Sequence, residues 1–326
     1  MTFAVIPAAG KSVRMGRPKL ALPLGERTVL ERVVDALREA GVEHVLVVVG
    51  PHVSELAPLA ERAGAHVLQL ADETPEMRAT VEAGLRWLEE RYHPRPDDRW
   101  LLVPADHPTL DSFLVRMLLW ERAERRDRSV IVPTHGGQRG HPTLIDWKHV
   151  AGVRALPPGE GLNIYLRQHI AETQEVPVDS PDILCDLDTP EDYERLRRSQ
   201  VGSAAEGGTF RLFVYGTLMR GGLRYDALRG QQFLREAVTR PKYLLFDMGG
   251  HPGLVVAAKD GRAVHGELYE VARRLIRPLD MIEGSPESYR LEPVEIEGEA
   301  GSVSAYLFQK STAGLRQIEA DRWRAT

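Results

Sequence analysis

The chain has 326 residues, with 42 Lys and Arg against 47 Asp and Glu, giving a formal net charge of −5. Hydrophobic residues make up 43% and charged residues 27%, which excludes disordered, collagen-like and fibrous classes, and the length favours two domains. The mild acidity argues against a protein-wide nucleic-acid surface yet allows a small anionic ligand at a local positive site; the single cysteine, Cys185, excludes an intramolecular disulfide framework and a multi-cysteine zinc site.

Phe3–Pro7 reads as a short buried strand ending in Ala8-Ala9-Gly10. No apolar run approaches the roughly 20 residues that span a bilayer. The opening residues lack a basic segment followed by a long apolar one. A cytoplasmic protein with no membrane partner is therefore expected. Thr28–Ala40 carries Val29, Leu30, Val33, Val34 and Leu37 at helical spacing and closes at Gly41. Val45–Val49 is a β-branched run of the kind buried on both faces of a sheet. Glu76–Glu90 reads as a helix, Trp100–Pro104 as a strand, Leu110–Arg125 as a helix and Val130–Pro133 as a strand. This alternation predicts an α/β domain with a mostly parallel sheet covered by helices.

Pro190–Arg198 reads as a last helix capped by Asp188 or Thr189. The small, polar, glycine-rich stretch 199–209 is the expected linker between a domain over 1–198 and a second over 210–326. Beyond it, strand-like runs at Phe210–Val214, Leu244–Asp247, Val264–Val271, Tyr289–Ile296 and Ser302–Gln309 are separated by Gly, Pro and Asp turns. One helix, Ala272–Ile282, interrupts them. That grammar predicts a small α+β, mostly antiparallel, barrel-like domain.

The segment Pro7–Lys19 follows the first strand directly. Small residues let backbone N–H groups approach a polyphosphate, and Arg14 and Lys19 add positive charge beside it. The alternative is a surface loop with incidental basic residues. Gly10-Lys11-Ser12 spells the end of a Walker A loop, but that motif needs glycine where Val5 stands. Asp106 ends the Trp100 strand, where an acidic side chain suits a Mg²⁺ ion facing phosphates, or simply a turn. Asp186 and Asp188 share a face if extended, so one of them can join a metal site while the other caps the following helix. His107 and His141 each precede proline. No paired histidine spacing occurs, so histidine ligation is not expected.

These residues resemble the MobA/MocA-like NTP transferases, which have a Rossmann-like GT-A fold. The resemblance rests on L/P-A-A-G-x-S-x-R-M-G-x-P-K at Pro7–Lys19. Pro104-Ala105-Asp106, Arg139-Gly140-His141-Pro142 and Asp186-Leu187-Asp188-Thr189-Pro190-Glu191-Asp192 follow in the same order. The molybdopterin cytidylyltransferase branch is the most similar. The resemblance implies that Ala8, Ala9 and Gly10 bind the nucleotide through backbone groups and that Arg14 and Lys19 hold phosphates. It also implies that Asp106 and Asp186 bind Mg²⁺, with Asp188 as the alternative to Asp186. The family usually has Gly-Met-x-x-Ser near the base; this chain reads Glu76-Met77-Arg78-Ala79-Thr80, and Thr80 keeps the hydroxyl.

In the second domain, Tyr215-Gly216-Thr217-Leu218 ends a strand in a glycine turn whose N–H groups suit a carboxylate; the bland alternative keeps Tyr215 in the core. Glu283 precedes Gly284 at the close of a helix. With Gly266-Glu267-Leu268-Tyr269 and Tyr289, these resemble the gamma-glutamylcyclotransferase-like (AIG2-like) family. The resemblance implies that Tyr215, Gly216, Thr217, Leu218 and Tyr289 hold a γ-glutamyl amine or peptide. Glu283 would move the proton as 5-oxoproline forms. A common family pattern reads Y-x-R, whereas this chain has Tyr289-Arg290-Leu291.

The expected protein is a nucleotidyltransferase using an NTP, CTP foremost, and a phosphorylated acceptor such as molybdopterin, fused to a cyclotransferase-like domain. The alternatives are a nucleotide-binding regulatory protein without turnover and a transferase acting on a sugar phosphate.

Overall fold

The structure, a computed structural model, describes residues 1–10, 15, 18–178, 180–203, 208–257 and 259–323. The chain divides into two compact units, Met1–Gly202 and Ser203–Thr326. The helix expected to close at Arg198 continues to Ser203, so residues 199–203 of the expected linker are helical. Among the described residues no helix is long and apolar enough to cross a membrane.

In chain order the first unit comprises β1 (Thr2–Ala8), the two-strand turn β2 (Pro23–Leu24) and β3 (Arg27–Thr28), α1 (Val29–Glu39), β4 (His44–Val49), α2 (Leu56–Arg62), β5 (His66–Gln69), α3 (Met77–Tyr92), β6 (Arg99–Leu102), α4 (Ser112–Glu124), β7 (Val130–His135), β8 (Gln138–Arg139), β9 (Thr143–Asp146), α5 (Val150–Arg154), α6 (Leu162–Gln168), β10 (Thr173–Pro177) and α7 (Pro190–Ser203). The main sheet runs β10-β7-β9-β6-β1-β4-β5, with β8 added to β7. It is mostly parallel, as the alternation predicts. The departure is β9, antiparallel to both β6 and β7.

Local chemistry places the elements. Thr28 and Glu31 form a reciprocal capping box at the start of α1, and the predicted apolar stripe of that helix is fully buried. Val81, Leu85 and Leu88 of α3 pack on Phe3, Val5, Leu46 and Val48 of the central strands. Gly84 sets how closely they meet: a Cβ there would lie 2.9 Å from Val48 Cγ2 and 3.0 Å from Val5 Cγ1. The first turn of α3 therefore stands beside the carboxyl ends of β1 and β4. On the other side, Arg122 of α4 donates Nε to Asp146 Oδ1 at 2.8 Å and a second N–H to Oδ2 at 2.6 Å. Both residues are buried, and the bidentate pair ties α4 to β9.

The second unit comprises β11 (Thr209–Val214), β12 (Gln232–Val238), β13 (Tyr243–Asp247), β14 (Pro252–Val256), β15 (His265–Ala272), α8 (Ile276–Glu283), β16 (Tyr289–Val294), β17 (Val303–Phe308) and β18 (Arg316–Ile318). A five-stranded sheet runs β12-β15-β11-β17-β16, and a three-stranded one β14-β13-β18. Among the described residues of this unit only the β11–β17 pairing is parallel. Phe213, Tyr215, Leu245, Leu254, Leu268, Ala305 and Leu307 form its core. Gly266 lets β15 and β11 approach: a Cβ there would fall 2.2 Å from the Val214 carbonyl oxygen. The helix expected over Ala272–Ile282 starts later, at Ile276, because β15 extends to Ala272 and a 3₁₀ turn fills Arg273–Leu275. Pro278 then falls in the first helical turn, where its missing N–H costs nothing.

Breaking the Arg122–Asp146 pair strands a buried charge. Asp146→Ala is expected to destabilise the first unit by about 3–5 kcal/mol, read as a lower urea midpoint for that unit's transition. An unchanged midpoint would show that the pair contributes nothing.

Candidate functional site

The ends of β1 and β6 open into a cavity of about 480 Å³. Pro7, Ala8, Ala9 and Gly10 line one side; Lys19, Asp106 and Asp188 line another; Thr74, Glu76, Met77 and Thr80 line the third, where α3 begins. Gly50 backs the turn, since a Cβ there would be 3.0 Å from Ala9 Cα. Around Gly10 a Cβ would meet nothing within 4 Å, so its backbone faces open space. Arg14 lies outside the described residues.

Lys19 donates to Asp106 Oδ2 at 2.6 Å and to Asp188 Oδ1 at 3.1 Å. Burial works to lower the pKa of this amine, but the hydrogen bonds and charges of Asp106 and Asp188 outweigh it and hold the pKa above its ordinary value. The Leu187 N–H donates to the Asp106 carbonyl at 3.1 Å, which brings segment 186–188 alongside the β6 end. The sequence left the capping of α7 open between Asp188 and Thr189. It falls to Thr189: its N–H donates to Asp192 Oδ2 at 2.9 Å, and the Asp192 N–H donates to Thr189 Oγ1 at 3.2 Å. Asp188 faces Lys19 instead.

Asp186 turns elsewhere. Its Oδ1 meets Nε2 of buried His107, and the ligand atoms of Asp106, His107 and Asp186 all lie within 4.8 Å of one another. Spacing along the chain gave no hint of His107, because its partner lies 79 positions away. The ring of His141 stands edge-on to His107 with centroids 5.8 Å apart, and its buried Nδ1 has no hydrogen-bond partner among the described residues. Burial, then the neighbouring His107, pushes the His141 pKa down to about 4. Gly140 makes this approach possible: a Cβ there would lie 2.5 Å from the Ile183 carbonyl, to which the His141 N–H donates at 3.0 Å. Two carboxylates and an imidazole, with an orphaned ring nitrogen beside them, are a donor set that fits a divalent cation.

At the α3 side, Thr80 is buried and its hydroxyl lies 2.6 Å from that of Thr74. Glu76 has extended backbone, φ −153° and ψ 161°, and makes no side-chain cap bond. No glycine is required at that position.

The second unit holds a cavity of about 30 Å³ lined by Tyr215, Gly216, Thr217, Leu218, Arg224, Pro252 and Glu283 among others. The Tyr215 hydroxyl donates to the Tyr306 carbonyl and accepts from the Leu254 N–H at 3.4 Å. Its ring thus belongs to the core. Gly216 is required, since a Cβ would sit 2.6 Å from Pro252 Cγ. Tyr289 stands behind that wall: its hydroxyl donates to the Pro252 carbonyl at 3.1 Å. Glu283 closes α8 before Gly284, whose φ is +60°. Burial pushes the Glu283 carboxyl up to about 7, against the pull of the Arg224 charge. The sequence analysis missed Arg224. It named Glu267 only within the Gly266–Tyr269 motif; that side chain is buried and accepts from Arg220 Nε and the Arg220 N–H, both at 2.9 Å.

Residues 4–175, more than half of the chain, match the MobA-like NTP transferase domain family, and residues 212–325 match the gamma-glutamyl cyclotransferase, AIG2-like family. Both are enzyme families, and nucleotidyltransferases of the first are typically metal-dependent. The molybdenum cofactor cytidylyltransferase of Escherichia coli is 25% identical over 191 residues, which cover 58% of this chain and 92% of that one. The phosphoenolpyruvate guanylyltransferase of Rubrobacter xylanophilus is 32% identical over 207 residues, covering 60% and 94%. The gamma-glutamylaminecyclotransferase of Rattus norvegicus is 31% identical over 116 residues, covering 31% and 78%. The chain belongs to the MobA-like NTP transferases through its first unit and to the AIG2-like gamma-glutamyl cyclotransferases through its second.

Proposed function

We propose that the first unit is a Mg²⁺-dependent nucleotidyltransferase that moves a nucleoside monophosphate, CMP from CTP foremost, onto a phosphorylated acceptor of the molybdopterin type. The observation that carries this reading is Lys19 held between Asp106 and Asp188 across a cavity from the Ala8-Ala9-Gly10 backbone. An acceptor phosphate oxygen attacks the α-phosphorus, the bond to the β-phosphate bridging oxygen breaks, and pyrophosphate leaves. The acceptor is already ionised, so no general base is needed, and repulsion between two anions is the obstacle. Lys19 neutralises part of it, the N–H groups of the turn hold the polyphosphate, and Arg14 adds a second positive charge on the sequence argument alone. Asp106 and Asp186, or Asp188 in place of Asp186, would hold the Mg²⁺, which when bound supplies further charge neutralisation, and His107 positions Asp186. Thr80 and Glu76 stand at the base. CTP is favoured by the likeness to the cytidylyltransferase; GTP with phosphoenolpyruvate is the competing pair.

The second unit is proposed to cyclise γ-glutamyl amines. The substrate's α-amine attacks its own γ-carbonyl, the ring C–N bond forms, and the old amide C–N bond breaks to leave 5-oxoproline and a free amine. Orientation supplies most of the advantage of such a ring closure. Glu283 takes the proton from the attacking nitrogen and returns it to the leaving one.

Pyrophosphate release is expected from CTP with molybdopterin, and Lys19→Ala is expected to slow it by roughly 100- to 1000-fold, as for loss of an oxyanion donor. Full activity in that variant would refute the assignment. Nucleotide binding without release, for every nucleotide and acceptor, would make the unit a binding module.

A base must be ionised to act, so kcat/KM for 5-oxoproline formation should rise as pH passes about 7, where Glu283 titrates. The fold holds the Glu283 proton more tightly than the unfolded chain does. Stability of the second unit should therefore fall as pH rises from the ordinary 4.5 to about 7 and level off above that. Glu283→Gln should abolish the activity and remove this slope; an activity profile flat through that window would take Glu283 out of the mechanism.

A further inference from the structure

We propose that Arg224 binds the α-carboxylate of the γ-glutamyl group, so that the second unit accepts only substrates with an unmodified α-amino acid head. This rests on the cyclotransferase reading and adds to it the group that reads the substrate's charge.

The substrate's α-carbon carries both an amine and a carboxylate. A site that takes the amine proton at Glu283 must therefore place a group for the carboxylate beside it. Arg224 is there. It lines the same cavity as Glu283 and the Gly216-Thr217 backbone, and its guanidinium donates to the carbonyl of Ile282, the residue before Glu283, at 3.0 Å. One acid and one planar guanidinium side by side complement an amine and a carboxylate on one carbon.

The loop that delivers Arg224 is built to hold it. The Arg224 N–H donates to the Thr217 carbonyl at 2.9 Å, and the Gly222 N–H donates to the Met219 carbonyl at 2.8 Å. The fold-back needs glycine: a Cβ on Gly222 would lie 2.4 Å from the Thr217 carbonyl oxygen, and Gly221 has φ +79°. Arg220, two positions before Gly222, is anchored to buried Glu267, which also accepts from the Tyr269 hydroxyl at 2.9 Å. The Arg220 guanidinium lies 3.8 Å from the centroid of the Phe233 ring. Arg220 thus answers Glu267 and Phe233, and Arg224 lines the cavity from the same loop.

The test uses the full chain and two ligands, γ-glutamyl-butylamine and its analogue with an α-carboxamide in place of the α-carboxylate. Affinity is read by calorimetry and turnover by release of butylamine. The wild type should bind the carboxylate ligand about 10- to 100-fold more tightly than the carboxamide, the range for hydrogen bonds to a charged group. Arg224→Gln should bring the carboxylate ligand down to the affinity of the carboxamide and leave carboxamide binding unchanged, which also shows that the variant is folded. Arg224→Lys should recover part of the difference. A wild type that does not discriminate, that binds neither ligand, or whose discrimination survives in Arg224→Gln overturns the assignment. Discrimination without butylamine release would overturn the cyclotransferase reading and leave Arg224 in place.

Discussion

One ammonium shared by two carboxylates organises the first unit's site. Lys19, Asp106 and Asp188 come from segments 87 and 169 positions apart, and the sheet brings them together because β1 and β6 are parallel neighbours with their carboxyl ends on one side. Open α/β sheets bind ligands at that edge. Among the described residues the acids Asp106, Asp186 and Asp188 outnumber the base Lys19 at this edge. A polyphosphate accompanied by a divalent cation meets such an edge with less repulsion than a bare one. The charge arrangement and the His107 cluster share Asp106 and Asp186 and favour the same kind of partner.

The second unit solves an opposite problem. Its acid, Glu283, is kept protonated more easily than usual by burial, and its cavity is small. Arg224 faces it from a loop pinned at its root by Arg220, whose half-exposed guanidinium pairs with buried Glu267. The ring closure proposed for this unit needs a proton moved at moderate pH and a substrate held still, and a carboxyl with a raised pKa beside an arginine suits both needs.

The strands and helices that carry long apolar patterns were legible from residues alone. The β-branched run of β4 and the capped stripe of α1 are examples, and the Pro7–Lys19 turn announced the first site through small residues at a strand end. What escaped was set by contacts between distant segments. β9 is four residues long and antiparallel, and no local pattern distinguishes it from a loop. His107 has its partner far along the chain, so a rule based on paired spacing passed over it. Asp188 resembled a helix cap until Thr189 was seen to fill that role. Arg224 sits in a loop whose course depends on Glu267, and a loop arginine carries no periodic signal. For Tyr215 the sequence leaves both a ligand-holding turn and a place in the core open, and the packing puts the ring in the core, where its hydroxyl ends on the Tyr306 carbonyl.

The two ends of the larger cavity obey different constraints. At the strand ends, function falls to backbone and to charges whose positions are over-determined. Gly50 presses against Ala9, Gly140 fits under Ile183, and Lys19 donates to both Asp106 and Asp188. Change there is costly because each group is held by another. At the α3 end, Glu76 has extended backbone open to any residue, Met77 is 55% exposed, and Glu76 meets Arg78 only at 3.7 Å. Substitution of glycine by glutamate there strains nothing and adds a carboxylate to the wall. If the base lies at this end, as proposed, a family can keep its phosphate chemistry unchanged while its base preference drifts. Relatives of this chain named for cytidylyl and for guanylyl transfer are what such a division of constraints would produce.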